Sequence, residues 1–317
     1  MVVLIYGAGA VGLGLASCLL KSGAQVDIIA RQDTVLLLRE RGLVRTGIFG
    51  DYHAQPGTFG SYTSLRALGE KIYDYILVCT KSFDSAGAAE DLCGHKSLFN
   101  EKTKIVLFQN GWGNAEVFSS FFDKSTIYSA RVITGFHRYQ KNEVTITVHA
   151  DAIHIGSLFG SDLKCVEALC ESITKGQIPC QITSEIGKDL WAKMLYNCAL
   201  NPLGAILDVP YGVLGQHEST RIIMKRIVEE VFEVMAAAGY ETHWRFPADF
   251  LEVFYKKLVP DTAEHKSSTL QDISAKKKTE IDALNGAVIK LAQRYGLDTP
   301  YNTIVYNMVK FLEEQSI

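Results

Sequence analysis

The chain has 317 residues, of which 47% are hydrophobic and 21% are charged, and its formal net charge is −3 at pH 7. These values are typical of a globular protein of about two domains, and they give no argument for nucleic acid or an anionic membrane as a partner. No apolar stretch reaches the roughly 18 residues of a membrane-spanning helix. The seven cysteines are scattered without a C-x-x-C pair, which favours a reducing compartment and therefore the cytoplasm.

Short β-branched apolar runs alternate with helical patterns in the first half of the chain. The predicted strands are Val2–Tyr6, Gln25–Ala30, Tyr75–Thr80 and Lys104–Gln109, and the predicted helices lie near Ala10–Lys21, Asp84–Phe99 and Asn114–Phe121. The first strand has no basic segment before it, which argues against a signal peptide. Nearly continuous apolar strands separated by helices indicate an α/β domain with a parallel sheet covered on both faces.

Two further segments of this half indicate additional strands. Leu43–Ser64 is rich in Gly, Thr and Tyr and is compatible with short strands. Ser125–Leu158 alternates between apolar and polar residues, as in Val144–Val148 and Ala152–Ile155. This alternation predicts antiparallel strands that close the sheet.

Strand signals fade after about Ile182, and helical periodicity replaces them. The predicted helices are Gly187–Leu207, Ser219–Ala238, Ala248–Lys257, Lys277–Tyr295 and Asn302–Glu314, with stops at Pro202, Pro210, Gly239, Gly296 and Pro300. We therefore expect residues 1–184 to form the α/β domain and residues 185–317 to form an all-α domain.

A glycine motif follows the first predicted strand and opens the first predicted helix. The residues of this G-x-G-x-x-G motif are Gly7, Ala8, Gly9, Ala10, Val11 and Gly12. In such a loop the first glycine permits a tight turn, the second lets the backbone approach a pyrophosphate, and the third lets the helix pack on the strand. The unpaired N–H groups of the helix N-terminus favour the anion. The motif in this context predicts a Rossmann-like dinucleotide site.

The end of the second predicted strand bears on the choice of nicotinamide cofactor. NAD-preferring sites usually carry an acid there for the ribose 2′-hydroxyl, whereas Arg31 and Gln32 follow this strand. A cation pairs with a 2′-phosphate, and Asp27 lies too early in the strand to take the place of the acid. We predict NADPH rather than NADH; the alternative is an exposed arginine without a ligand.

Two more polar residues follow predicted strands directly. Lys81 comes after Tyr75–Thr80, and Asn110 comes after Lys104–Gln109. Ligand contacts concentrate at the carboxyl ends of parallel strands. Both residues are therefore candidates for ligand binding. The alternative is that they are loop residues that only cap a helix or form a turn.

The first helix of the second half carries a polar ridge. Lys193, Asn197 and Asn201 stand at i, i+4 and i+8 on an otherwise apolar helix. Such a ridge either faces bulk water or lines a cleft, since burying it without partners is costly. Asn is a poor helix former, and two of them at helical spacing favour a hydrogen-bonding role in a cleft.

A second polar cluster comprises Ser267–Asp272 and Lys278–Asp282, the second of which opens the helix predicted over Lys277–Tyr295. Ser268 could donate a hydrogen bond to a carboxylate, and Glu280 could pair with a lysine and favour its ammonium form. The residues alone equally permit Ser268 as a helix N-cap and Glu280 as a first-turn acid that opposes the helix dipole.

Taken together, these motifs resemble those of the ketopantoate reductase (2-dehydropantoate 2-reductase) family, in order and spacing, over essentially the whole chain. The helix motif and the Ser/Glu motifs are much more specific than the glycine motif. The residues that carry the resemblance are Gly7–Gly12, Cys79–Ser82, Gln109–Gly111, Trp191 with Lys193, Asn197, Asn201 and Pro202, Ser267–Asp272 and Thr279–Asp282.

The resemblance implies roles for individual residues. Lys193 is implied to be the general acid and Glu280 its carboxylate partner, in a catalytic and substrate-binding second domain without a metal. The family pattern places Asn110, Asn197, Asn201 and Ser268 on the substrate, and Lys81, Asn110 and Glu280 near the cofactor. Asp272 matches a further polar family position of less certain role.

The implied activity is the NADPH-dependent reduction of 2-dehydropantoate to (R)-pantoate in pantothenate and coenzyme A biosynthesis. One alternative is a reductase of the same fold for another small 2-keto acid, because the bulky Trp112 beside Asn110 could reshape the pocket. A second is a non-catalytic NADP(H)-binding sensor, against which a proton donor such as Lys193 argues. We expect no nucleic-acid or membrane partner, and the sequence leaves the oligomeric state open, a homodimer included.

Overall fold

The computed structural model describes residues 1–316, which group into two compact units. Unit 1 comprises Met1–Gln109 and Asn114–Ile186, and unit 2 comprises Asn110–Gly113 and the chain from Gly187 onward. The short Asn110–Gly113 segment therefore belongs with unit 2 by its contacts, although unit 1 flanks it in sequence. Ile317, the last residue of the predicted second domain, lies outside the described residues.

The strands lie in unit 1. Their bounds are β1 (Val2–Tyr6), β2 (Gln25–Ile29), β3 (Leu43–Gly47), β4 (Tyr52–Ala54), β5 (Gly60–Tyr62), β6 (Tyr75–Val78), β7 (Lys104–Leu107), β8 (Ile127–Arg131), β9 (Thr134–His137), β10 (Glu143–His149), β11 (Ile153–Gly156) and β12 (Cys180–Ile182). The four strands predicted first, together with the short strands expected in Leu43–Ser64, are confirmed.

The main sheet has the strand order β12-β11-β8-β7-β6-β1-β2-β5. The six strands β8, β7, β6, β1, β2 and β5, which are neighbours in this order, run parallel to one another. β11 joins antiparallel to β8, and β12 pairs parallel with β11. A parallel sheet in this order, with the first strand in the middle, is that of a Rossmann-type domain, so the predicted α/β class is confirmed.

The prediction that the alternating segment Val144–Val148 closes the main sheet is wrong. β10 lies in a second sheet of order β4-β3-β10-β9, and β8, from the same alternating region, runs parallel to β7 in the main sheet. Alternation reports only that one face of a strand is buried, not which sheet the strand joins. Val144 and Ile146 bury that face in the same core as Leu13 of the first helix.

The helices of unit 1 are α1 (Ala10–Ser22), α2 (Gln32–Arg41), α3 (Ser85–Cys93), α4 (Asn114–Ser119) and α5 (Lys164–Lys175). From there onward the chain forms α6 (Ile186–Leu207), α7 (Tyr211–Gln216), α8 (Glu218–Ala237), α9 (Pro247–Val253), α10 (Val259–Asp261), α11 (Ser268–Ser274), α12 (Asn285–Arg294) and α13 (Pro300–Ser316), with a π-helix at Phe254–Leu258 and a 3-10 helix at Ile281–Ala283. The helical character predicted for the second half is confirmed. No helix within residues 1–316 has the length and apolar character needed to cross a bilayer.

Pro202 was predicted to end its helix, and this prediction is wrong because α6 continues to Leu207. A proline removes the N–H that would bond to the carbonyl four residues earlier, here that of Cys198. The side chain of Asn285 replaces it: its Nδ2 donates to the Cys198 carbonyl oxygen at 3.1 Å. A long-range hydrogen bond therefore allows the helix to pass through the proline.

The helix predicted over Lys277–Tyr295 is shorter than expected. A 3-10 helix at Ile281–Ala283 precedes α12, which begins only at Asn285. The segment between α11 and this 3-10 helix is non-helical and contains Lys276 with a φ of 53°. Glu280 is consequently the N-cap of the 3-10 helix rather than a first-turn acid of α12.

Candidate active site

The glycine motif of unit 1 forms a turn with no room for side chains at its first and third glycines. Gly7 has a φ of 110°, and a Cβ there would lie 2.8 Å from the backbone N of Thr80. A Cβ on Gly12 would lie 2.0 Å from the Gly7 carbonyl oxygen. These approaches bring the end of β1, the end of β6 and the start of α1 together, as the predicted roles of the glycines require.

The start of α1 suits an anionic ligand. Gly9 is the N-cap and supplies no side-chain cap, and the first turn of the helix holds no acidic residue. A Cβ on Gly9 would meet only the Cys79 carbonyl oxygen, at 3.7 Å, so the second glycine leaves its side of the loop open. The backbone N–H groups and the helix dipole therefore fit the pyrophosphate of a dinucleotide.

Arg31 is exposed, two residues after the end of β2. Its carbonyl accepts hydrogen bonds from Thr34 N and Val35 N at the start of α2. Asp27 is buried in the middle of β2, where its Oδ2 accepts hydrogen bonds from Lys71 Nζ at 2.5 Å and Tyr73 Oη at 2.7 Å. The carboxylate of this strand is thus engaged in structural contacts away from the strand end.

Lys81 follows β6 and is half-buried. Its carbonyl accepts a hydrogen bond from Gln109 Nε2 at 3.3 Å, and the same Gln109 amide donates to Ser85 Oγ at 2.8 Å. Because Gln109 follows the neighbouring strand β7, these bonds tie together two adjacent strand ends of the main sheet.

In unit 2, three of the predicted site residues form one hydrogen-bonded network. Lys193 Nζ donates to Asn110 Oδ1 at 2.6 Å, and Asn110 Nδ2 donates to Glu280 Oε2 at 3.1 Å. Lys193 is half-buried, whereas Glu280 is only 6% exposed. The Asn110 amide oxygen thus faces the Lys193 ammonium, and its NH2 group faces the Glu280 carboxylate. Because the reverse orientation would place each group against a like partner, the two charges fix the orientation of the amide. We call this the Lys–Asn–Glu network.

The Asn110–Gly113 segment is anchored in unit 2 by its backbone and by an aromatic ring. Trp112 N donates to the Ala283 carbonyl oxygen at 2.9 Å. The Trp112 ring lies with its centroid 4.7 Å from that of Trp191 and 4.8 Å from that of Tyr240, separations at which aromatic rings attract one another. These contacts hold Asn110 in place for its hydrogen bonds to Lys193 and Glu280.

A second group of polar residues surrounds the other end of the ridge on α6. Tyr211 Oη donates to Asn201 Oδ1 at 2.5 Å, and Asn201 Nδ2 lies 3.5 Å from Ser268 Oγ. Ser267 Oγ donates to the Asn201 carbonyl oxygen at 3.1 Å and accepts from Leu270 N at 3.0 Å. Ser267 is therefore the N-cap of α11, and the alternative that Ser268 is this cap is wrong.

Asn197 lies one helical turn from both Lys193 and Asn201 on α6. It is 9% exposed, and its side chain makes no hydrogen bond to another part of residues 1–316. Asn201 is 3% exposed. Buried amides at both positions exclude the alternative that the ridge is a stripe facing bulk water.

Sequence reasoning missed Tyr211, because it lies outside the ridge on a short helix and no periodic pattern marks it. Burial, followed by the charge of Tyr196, raises the pKa of Tyr211 far above its usual value. The phenol therefore stays protonated and donates to Asn201 Oδ1, which directs the Nδ2 donor of Asn201 toward Ser268.

The fold and these side chains define a class of protein. A Rossmann-type sheet with a glycine loop binds a dinucleotide, and the helical unit carries a lysine held by an amide and a buried carboxylate. This combination is typical of oxidoreductases.

Comparison with known proteins identifies the family. The model described as "Ketopantoate reductase PanE/ApbA" matches residues 3–160, and "Ketopantoate reductase PanE/ApbA C terminal" matches residues 185–313. A 2-dehydropantoate 2-reductase of Aquifex aeolicus is 33% identical over 314 residues, which cover 99% of this chain and 97% of that protein. The chain therefore belongs to the ketopantoate reductase family.

Solved structures support the same fold over the whole chain. A PanE/ApbA family ketopantoate reductase from Ralstonia eutropha has a TM-score of 0.85 at 26% identity and covers 100% of this chain and 99% of its own. A D-mandelate dehydrogenase solved with NADH and anilino(oxo)acetate has a TM-score of 0.88 at 23% identity, with coverages of 100% and 99%. At that identity the second likeness shows the fold alone.

Proposed function

We propose that this protein reduces 2-dehydropantoate (ketopantoate) to (R)-pantoate with NADPH, as a step of pantothenate and coenzyme A biosynthesis in the cytoplasm. The observation that carries the proposal is the Lys–Asn–Glu network, in which Lys193 Nζ, Asn110 and Glu280 are joined by hydrogen bonds of 2.6 and 3.1 Å. The names of the family and of its similar members support the choice of substrate.

Lys193 is the proposed general acid. As the keto carbon is reduced, negative charge grows on the carbonyl oxygen, and an ammonium in hydrogen-bond contact both stabilises this charge and donates the proton. NADPH, when bound, supplies the hydride. Asn110 fixes the direction of the lysine, and the nearby Glu280 carboxylate balances its charge. The proton thus leaves Lys193 Nζ and ends on the new hydroxyl oxygen of the product.

The remaining polar residues of unit 2 are proposed to bind and orient the keto acid. Asn201 Nδ2 and Ser268 Oγ lie 3.5 Å apart, a separation at which both can donate to the same carboxylate. Asn197, with an amide not used elsewhere within residues 1–316, is the third donor and lies one turn from Lys193. Holding the carboxylate at several points places the carbonyl in a single reactive pose.

The cofactor-binding residues are proposed in unit 1 and at the network. The glycine loop, formed by Gly7, Ala8, Gly9, Ala10, Val11 and Gly12, holds the pyrophosphate at the start of α1. Arg31 pairs with the 2′-phosphate, which is the reason for choosing NADPH over NADH. Lys81, Asn110 and Glu280 are proposed to contact the cofactor as well.

A second candidate is the reduction of another 2-keto acid by the same residues. Trp112 favours it, because this large ring follows Asn110 by two positions and packs with Trp191 and Tyr240. An aromatic surface next to a substrate-binding amide can select for the size of the substrate side chain.

A spectrophotometric assay of NADPH oxidation tests the proposal. We expect the highest kcat/KM with 2-dehydropantoate in a panel that also contains pyruvate, 2-oxoisovalerate and benzoylformate. A higher value for another member supports the second candidate instead. Tight binding of NADPH without oxidation by any member would identify a non-catalytic binder and contradict both.

A further inference from the structure

A second arginine reaches the glycine loop of unit 1. Arg138 directly follows β9 of the second sheet, and its Nη1 donates to the Ala8 carbonyl oxygen at 2.7 Å. Ala8 lies between Gly7 and Gly9, the first two glycines of the loop. The half-buried guanidinium therefore stands beside the segment that fits a dinucleotide.

The packing of the second sheet on α1 brings Arg138 to this place. A Cβ on Gly14 of α1 would lie 2.3 Å from Cε1 of Phe136. The absence of a side chain at Gly14 thus allows β9, which contains Phe136, to approach the helix closely. Arg138 comes two residues after Phe136 and extends from the end of that strand to the loop.

Arg31 emerges at the same edge of the main sheet. β1 and β2 are neighbouring parallel strands with Tyr6 opposite Ile29, and Gly7 N donates to the Ile29 carbonyl oxygen at 3.1 Å. The residues that follow the two strands, Ala8 and Arg31, are therefore close in space. Within residues 1–316, neither Arg31 nor Arg138 forms an ion pair.

The charges around Arg138 add up to an excess of cations. Burial lowers the pKa of Arg138, the carboxylate of Asp33 raises it, and the charge of Arg31 lowers it. Asp33 itself pairs with Lys141. Three cations and one carboxylate thus converge next to the loop, an arrangement that attracts a multiply charged anion.

We propose that Arg138 and Arg31 form a two-arginine site for the 2′-phosphate of NADPH, so that Arg138 is a second specificity-determining residue. The inference rests on the proposed NADPH-dependent function. Guanidinium groups bind phosphate oxygens through directed pairs of N–H donors, and Arg138 uses Nη1 for Ala8, which leaves further donors of the same group for the phosphate. The alternative is that Arg138 only braces the loop.

Binding of cofactors to the full-length protein distinguishes these cases without relying on turnover. Dissociation constants for NADPH, NADH, 2′,5′-ADP and 5′-AMP are measured by titration calorimetry on the wild type and on Arg138→Gln, Arg138→Lys, Arg31→Ala and Arg39→Gln. Arg39 is the matched control, since its Nη2 also donates to a backbone carbonyl of unit 1, that of Ser61 at 2.7 Å. Thermal unfolding confirms that each variant is folded.

We expect Arg138→Gln to weaken NADPH and 2′,5′-ADP by roughly 10-fold or more, as Arg31→Ala does, with NADH and 5′-AMP nearly unchanged. Arg138→Lys, which keeps the charge but loses the paired donors, should retain only part of the NADPH affinity, and Arg39→Gln should change none of the four constants. Equal losses of NADPH and NADH in Arg138→Gln would show a loop brace and overturn the inference while leaving the proposed function intact. A wild type that binds NADPH no more tightly than NADH would overturn both.

Discussion

The glycine loop of unit 1 and the Lys–Asn–Glu network of unit 2 are built in opposite ways. The loop occupies six consecutive residues, and its shape depends on side chains that are absent at Gly7 and Gly12. The network joins Asn110 to Lys193 and Glu280, which lie 83 and 170 positions after it in the sequence, through side-chain hydrogen bonds. One region presents backbone groups, and the other presents side chains.

The difference shows how each region can fail. A backbone site is lost when a side chain is added, because the added atoms occupy the place of the ligand or of another strand. A side-chain network loses function in steps, because each bond contributes a limited free energy to positioning. Substitutions in the loop should therefore act mainly on cofactor affinity, and substitutions in the network should act mainly on turnover or KM.

The largest expected effect on cofactor affinity is at the loop. Gly12→Ala places a Cβ 2.0 Å from the Gly7 carbonyl oxygen and should weaken NADPH by roughly 100-fold or more through the resulting shift of α1 against β1. Gly87→Ala is the control, since a Cβ there meets nothing within 4 Å. Calorimetric titration checks both, and unchanged NADPH binding in Gly12→Ala would show that the loop does not hold the cofactor.

A smaller effect is expected at Asn110, the positioning amide of the network. Asn110→Ala removes the hydrogen bonds to Lys193 and Glu280, each to a charged group, and should lower kcat by about 30-fold. Asn307→Ala, an exposed asparagine of α13, should leave kcat unchanged. Steady-state kinetics with 2-dehydropantoate measures both variants. An Asn110→Ala protein with wild-type kcat would mean that the amide does not position the lysine.

The smallest effect is expected at Tyr211. Tyr211→Phe removes the hydroxyl that donates to Asn201 Oδ1 and should raise KM for the keto acid by roughly 5- to 10-fold, with kcat changed far less. Tyr196→Phe removes a neighbouring hydroxyl whose partner is Thr262 and should leave KM close to the wild-type value. Equal changes of KM in the two variants would indicate general loosening of unit 2 rather than orientation of Asn201.

Features that depend only on residues close together in the sequence could be predicted from it. The glycine motif predicted the turn between β1 and α1, and the spacing of Lys193, Asn197 and Asn201 predicted a polar ridge on one helix, with a place in a cleft favoured over bulk water. The helix α5 could also have been predicted, since its buried Val166, Leu169 and Ile173 follow helical periodicity. Each of these signals lies within a few turns of chain.

Features that depend on distant partners could not be predicted in this way. Pro202 continues its helix because Asn285 donates to the Cys198 carbonyl, and Val144–Val148 joins the second sheet because β3 pairs with it. Likewise, Tyr211 and Arg138 acquire a place in the sites only through contacts to Asn201 and Ala8. Local propensity carries no information on such pairs.

The account depends most on Lys193 as the proton donor. The direct measurement is the kcat for 2-dehydropantoate reduction by Lys193→Ala, together with its dissociation constant for NADPH, and Lys188→Ala on the same helix is the control. We predict that Lys193→Ala lowers kcat by about 1000-fold, leaves NADPH affinity nearly unchanged, and differs in this from the control. Turnover close to that of the wild type would contradict the account, because the reaction would then have a different proton donor.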